Sequence, residues 1–144
     1  GSMIETPSSS LIAALLAQEC DFFSIGTNDL IGYTMCADRG NDRVAYLYNV
    51  YQPSVLRSLK RIIEEGNKAG IMVGMCGEVA ADPLMVPVLL SFGLNEFSVS
   101  AGSVLRTRKI ISEWTKEEAD ALTEKVMKLE TSNEVRAMLQ AAIK

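Results

Sequence analysis

The sequence predicts an α/β fold, with about four β/α units around a parallel sheet and then two helices with no further strand. Three observations carry this. Short apolar runs alternate with helical stretches in the order β-α-β-loop-α-β-α-β-α. The run Ile71 to Met75 is almost wholly apolar, as in a strand buried on both faces. Polar residues follow each run directly, at the strand ends where parallel sheets place their sites. Four such units make half of a (β/α)8 barrel; a small open α/β sheet is the alternative.

The elements follow in order. Gly1-Ser2-Met3 reads as a cloning remnant, and Ile4-Glu5-Thr6-Pro7 as the end of a strand whose beginning is missing. The chain is therefore expected to begin inside a larger domain. Ser8 to Ser10 can cap a helix whose apolar stripe is Leu11, Ile12, Leu15 and Leu16. Phe22 to Ile25 forms a strand that breaks at Gly26, and a polar loop is expected from there to Asn41. After a short turn at Val44, Leu47 and Tyr48, Pro53-Ser54 opens a helix to about Lys68, with Val55, Leu59, Ile62 and Ile63 inward and Gly70 as its stop. The strand Ile71–Met75 ends in Cys76-Gly77-Glu78. A helix from Leu84 to about Phe92 stops at Gly93, and Glu96–Ser100 is the fourth strand. A further helix starts at Ala101-Gly102-Ser103 and carries Val104, Leu105, Ile110 and Ile111. Thr115-x-x-Glu118 and Thr131-x-x-Glu134 match the capping box and announce helices over roughly 116–130 and 132–143, fitted to cover a core or to meet a partner. Residues 4–112 thus form the half-barrel and 113–144 a helical segment of the same domain.

The bulk properties exclude several functions. The chain has 144 residues, 48% of them hydrophobic, which predicts one globular domain or a piece of one. A net charge of −4 argues against a nucleic-acid binder. No apolar run approaches the roughly 18 residues of a membrane span. Cys20, Cys36 and Cys76 form no CxxC pair, and free thiols fit a reducing cytoplasm. There is no histidine, which removes His-based acid–base catalysis, Ser-His-Asp triads, Cys/His zinc sites and any phosphohistidine on this chain. The chain also lacks a G-x-G-x-x-G or P-loop after its strands.

The strand ends supply the candidate chemistry. They are Glu5, then Thr27-Asn28-Asp29, then Cys76-Gly77-Glu78, then Ser98 and Ser100. Glu5 and Asp29, on neighbouring strands, suit Mg2+, a hard cation that takes one or two carboxylates and completes its shell with water and phosphate. Each could instead cap the helix that follows it. Arg39 can grip a phosphate with its planar fork or pair with Asp38 or Asp42. Cys76 is either an inert core thiol or a proton donor facing a ligand, and Gly77 lets a ligand approach the backbone.

Several linked motifs add a family resemblance. Ile4-Glu5-Thr6-Pro7, D-F-F-S-I-G-T-N-D-L (Asp21–Leu30), A-D-R-G-N (Ala37–Asn41), G-M-C-G-E-V-A-A-D-P (Gly74–Pro83) and E-F-S-V-S (Glu96–Ser100) occur in order. Together they closely resemble the C-terminal domain of the phosphoenolpyruvate–protein phosphotransferase family, Enzyme I of the bacterial sugar phosphotransferase system. The resemblance runs from Ile4 to about Lys144. It implies the C-terminal half of a phosphoenolpyruvate-binding (β/α)8 TIM barrel that also dimerises. It further implies Glu5 and Asp29 as Mg2+ ligands, Asn28, Asp29 and Arg39 as substrate contacts, and Cys76 as the acid that protonates the enol carbon while pyruvate forms. The phosphoryl group would go to a histidine of a separate N-terminal domain and on to the phosphocarrier protein HPr, in a cytoplasmic homodimer with no nucleic-acid or membrane partner. That histidine and the basic residues of the first half-barrel are not on this chain. The isolated chain is therefore expected neither to turn over phosphoenolpyruvate nor to bind it tightly. Pyruvate phosphate dikinase and phosphoenolpyruvate synthase share the G-T-N-D and C-G-E motifs, but the A-D-R-G-N and D-F-F-S-I-G stretches favour Enzyme I. A non-catalytic half-barrel that dimerises is the remaining alternative.

Overall fold

The computed structural model describes residues 1–143. Four parallel strands, β1 (Ser2–Ile4), β2 (Phe22–Gly26), β3 (Met72–Cys76) and β4 (Glu96–Phe97), lie in the order in which the chain makes them. A doubly wound sheet reverses its strand order partway. This one does not, and sequential parallel order is the order of strands in a (β/α)8 barrel. Ser2 and Met3, read as a remnant, pair with Phe23 and Ser24 of β2.

One face of the sheet holds the core. Ile4, Phe23, Ile25, Val73 and Met75 are fully buried beneath the helices. The longest helix is α4 (Pro53–Lys68), which buries Val55, Leu56, Leu59, Ile62 and Ile63. The sequence predicts this helix closely because its apolar residues recur at helical spacing and Pro53 sits at its first turn. On the opposite face of the sheet Met3, Phe22 and Met72 are 51%, 42% and 46% exposed. The strand around Met75 is therefore covered on one side only over part of its length.

Three expectations are corrected. The first helix is broken: α1 (Pro7–Leu11) and α2 (Ala13–Leu16) meet at Ile12, and Thr6 and Ser9 form the capping box instead of Ser8–Ser10 capping it. Its buried residues are Ser10, Ala13 and Ala17, whereas Leu11 and Leu15 are 67% and 63% exposed. Small side chains let α4 come close, and Arg61 of α4 donates to the carbonyls of Ser10 (3.1 Å) and Leu11 (2.8 Å) beside the break. The second correction concerns the stretch after Gly26, which is not a loop. Helix α3 (Thr27–Met35) begins at once, buries Leu30 and Ile31, and ends at Cys36 with φ 50°. Its polar first turn and Gly32 hide the helical pattern from a sequence reading. The third correction is at the far edge. β4 stops at Phe97, with one more sheet bond from Ser98 N–H to Met75 C=O (2.9 Å). Beyond it, α6 (Val104–Ser112) leaves Leu105 79% exposed.

The remaining helices occur where expected. α5 (Val86–Phe92) starts two residues later than Leu84 and stops at Gly93. α7 (Lys116–Val126), which ends four residues before 130, and α8 (Ser132–Ala142) both start on the expected capping boxes. Ala119, Val126, Val135 and Leu139 are buried, and α7 packs against α5, so both helices serve the core. The last residue of the expected 113–144 segment, Lys144, lies outside the described residues. No helix among them is long and apolar enough to cross a membrane.

Candidate active site

The site is built where β1, β2 and β3 end side by side. Ile4 pairs with Ile25, and Gly26 with Cys76. This register sets Glu5 and Cys76 on either side of Gly26. A β-carbon built on Gly26 would meet the Glu5 carboxylate oxygen at 2.6 Å, Glu5 Cβ at 3.0 Å and Met3 Sδ at 3.2 Å. The Glu5 carboxylate thus occupies the space that Gly26 leaves open. Gly26→Ala is expected to push that carboxylate aside, weakening divalent-cation binding several-fold, and to lower the urea midpoint modestly, since the carboxylate tip and Met3 Sδ can swing away but Glu5 Cβ must shift with the strand end.

Helix α3 starts at Thr27 and carries Asn28 and Asp29 in its first turn. The helix N-terminus places backbone N–H groups and positive partial charge beside those side chains. Neither acid caps a helix: Thr6 caps α1, Gly26 is the N-cap of α3, and no described residue donates a hydrogen bond to the Glu5 or Asp29 carboxylate. Both carboxylates are left available. Among the described residues no three His, Cys, Asp or Glu side chains form a metal cluster. Two hard carboxylates, with water and phosphate completing the shell, still fit Mg2+.

Asn28, Asp29 and Arg39 line one open cleft of about 460 Å³, together with Gly32, Tyr33, Cys36, Ala37, Asp38 and Tyr48. Glu5 and Cys76 do not line it; they stand beside it, across Gly26. Arg39 makes no ion pair with Asp38 or Asp42, and the Asp38 carboxylate accepts the Gly40 N–H at 2.8 Å. Arg39 lines the cleft with Tyr48, where burial raises the phenol's pKa and the Arg39 charge partly opposes that rise. Cys76 is half-buried; its Sγ donates to the Ile25 carbonyl (3.5 Å) and receives the Ser24 hydroxyl (3.8 Å). The Thr27 hydroxyl donates to Cys76 C=O (3.0 Å) and so ties the helix start to the end of β3.

The sequence reading missed two tyrosines. Tyr48 donates to the Asn28 carbonyl (2.7 Å), and Tyr51 donates to the Asp82 carboxylate (2.6 Å) with Arg136 5.8 Å from its ring centre. Nothing in A-Y-L-Y-N-V-Y distinguishes these phenols from core aromatics. Burial pushes the Tyr51 phenol well above the ordinary 10.0; the bond to Asp82 and its negative charge add to this, and Arg136 partly opposes it. The folded protein therefore holds this proton longer than the unfolded chain does. Its contribution to stability is complete below about pH 10 and is lost as pH rises beyond it. The urea midpoint is expected to fall from about pH 9 to about pH 11, and less steeply in Tyr51→Phe than in the parent chain.

Comparison with known proteins identifies the family. The family described as PEP-utilising enzyme, PEP-binding domain matches residues 1–116. The phosphoenolpyruvate-protein phosphotransferase of Bacillus subtilis (strain 168) is 51% identical over 144 residues, all of this chain and 25% of that protein. The protein of the same name from Geobacillus stearothermophilus is 51% identical over 135 residues (94% of this chain, 23% of the relative). That of Listeria monocytogenes serovar 1/2a is 49% identical over 140 residues (97% and 24%). The chain thus spans about a quarter of the length of these relatives. With polar groups gathered at the ends of parallel strands and the family match spanning most of the sequence, this chain belongs to the PEP-utilising enzymes as a stretch of their PEP-binding domain.

Proposed function

We propose that this chain is the cation-holding half of a phosphoenolpyruvate-binding (β/α)8 barrel in a Mg2+-dependent phosphotransferase, which moves phosphoryl from phosphoenolpyruvate to a histidine and releases pyruvate. The observation that supports this best is the pair Glu5, which fills the space against Gly26, and Asp29, three residues further on in the first turn of α3, two carboxylates to which no described residue donates a hydrogen bond. Bound there, Mg2+ would neutralise charge on the phosphoryl oxygens. Arg39 presents its fork to the same phosphate from across the cleft, and Asn28 offers its amide beside the positive end of α3. The bond between the enol oxygen and phosphorus breaks, and a phosphorus–nitrogen bond forms on a histidine that this chain does not itself carry. The electrons left on the enol oxygen return through the C=C bond, and its terminal carbon takes the proton of the Cys76 thiol to give the methyl of pyruvate. Water then restores the thiol. The histidine belongs to another domain, which hands the phosphoryl group to HPr; a cytoplasmic homodimer is part of the same reading.

The relatives above carry the phosphotransferase name, which favours this activity over a dikinase or a synthase. One observation favours a second reading, a half-barrel that acts only by pairing: the bare sheet face at Met3, Phe22 and Met72. A chimera separates the two. This sequence would replace the matching stretch of the Bacillus subtilis relative, and phosphorylation of histidine by phosphoenolpyruvate would be followed. Retained phosphorylation is expected. A folded chimera that does not phosphorylate would leave only the pairing reading.

A further inference from the structure

The segment from Cys36 to Gln52 carries Arg39 but has little regular structure of its own, with a single short 3-10 turn at Ala45–Leu47. Two phenols fix it to the rest of the fold. Tyr51 bonds to Asp82, whose other carboxylate oxygen accepts the Leu84 N–H at 3.0 Å, so this anchor reaches the turn after β3. Tyr48 bonds to the Asn28 carbonyl in the first turn of α3, and Arg39 lines the same cleft as Tyr48 and Asn28, with its positive charge acting on the phenol. Tyr48 therefore stands between two groups expected to meet the phosphate, one on a helix and one on an irregular segment. A long Arg side chain loses rotamer freedom when it is fixed on a ligand, and a neighbouring phenol that restricts it before the ligand arrives removes part of that cost.

We propose that Tyr48 is a positioning residue for the phosphate-binding cleft: its hydroxyl, anchored on the Asn28 carbonyl, sets Arg39 at the distance from α3 that a phosphate group requires. The proposal rests on the phosphate-binding role given to Arg39 above. The ring of Tyr48 also packs against the core, so Tyr48→Phe, which keeps the ring and removes only the hydroxyl, is the informative variant. Tyr51→Phe is the control. It removes a phenol bond of similar length from the same segment but touches neither Asn28 nor Arg39.

The experiment titrates inorganic phosphate into the isotopically labelled chain and follows the Arg39 side-chain N–H signal by NMR, with thermal unfolding of each variant alongside. In the parent chain the Arg39 signal is expected to move with phosphate. In Tyr48→Phe the midpoint is expected to rise about fivefold, the scale of one hydrogen bond, and in Tyr51→Phe to stay within about twofold, with both variants folded. A Tyr48→Phe midpoint equal to that of the parent overturns the proposal. Equal shifts in the two variants also overturn it, because they show only a general loosening of the segment. An Arg39 signal that ignores phosphate in the parent chain removes the phosphate role of Arg39, and the proposal falls with it. That failure shows in the parent before any variant is compared.

Discussion

Asp29→Asn is expected to weaken Mn2+ binding by about a hundredfold, with Glu5→Gln close behind. Mn2+ stands in for Mg2+ and is followed by the loss of its free electron-spin signal. The size of the effect follows from the small number of ligands. Among the described residues no third acid gathers with these two into a metal cluster, so each replacement removes half of the protein's charge on the ion. Neither change should disturb the fold. Asp29 is exposed and Glu5 half-exposed, and no described residue donates a hydrogen bond to either carboxylate. Thermal unfolding within a degree or two of the parent, together with lost binding, is the expected pair of results. Lost binding with a lower melting temperature would instead make these acids structural.

Gly77→Ala is expected to give the largest loss of stability, about 3 kcal/mol in urea unfolding. Gly77 has φ 96° and ψ −176°, a conformation open almost only to glycine. A β-carbon there would also meet the Thr27 hydroxyl at 2.5 Å, the group that holds Cys76 C=O. Conformational strain and steric overlap therefore act together. Relief requires either the turn after β3 to re-form or α3 to move away from the end of the strand. Cation binding should weaken as well, because α3 carries Asp29. A variant as stable as the parent would mean that the turn adopts another shape at no cost.

How much of this was legible in the sequence depended on what each element buries. β2, β3 and α4 read correctly because large apolar side chains mark their inner faces: Phe23 and Ile25, Val73 and Met75, and Leu59, Ile62 and Ile63. The capping boxes at Thr115 and Thr131 read correctly because the signal is local, two side chains and the backbone of one turn. The first helix misled because its buried face is Ser10, Ala13 and Ala17, which carry little hydrophobic signal, while Leu11 and Leu15 point outward. α3 was hidden because the site residues occupy its first turn; the side chains that suggest chemistry are also those that obscure a helix. For the site, the residue types raised Glu5, Asp29 and Cys76 at the strand ends and Arg39 in the segment that follows as candidates, beside capping, ion-pair and core readings; Asn28 and the roles of all five came from the family resemblance. Tyr48 was beyond reach, since its partner is a backbone carbonyl twenty residues away in sequence, and no periodicity encodes such a contact.

Glu5 and Asp29 are proposed to hold one divalent cation beside Gly26. Paramagnetic broadening by Mn2+, read residue by residue in the amide spectrum of the labelled chain, tests it most directly. Broadening should begin at Glu5, Gly26, Asn28 and Asp29, spare the acids of the outer helices such as Glu64 and Glu124, and vanish from the first group in Asp29→Asn. Broadening that begins at the outer acids, or that persists around Gly26 in Asp29→Asn, would contradict the claim.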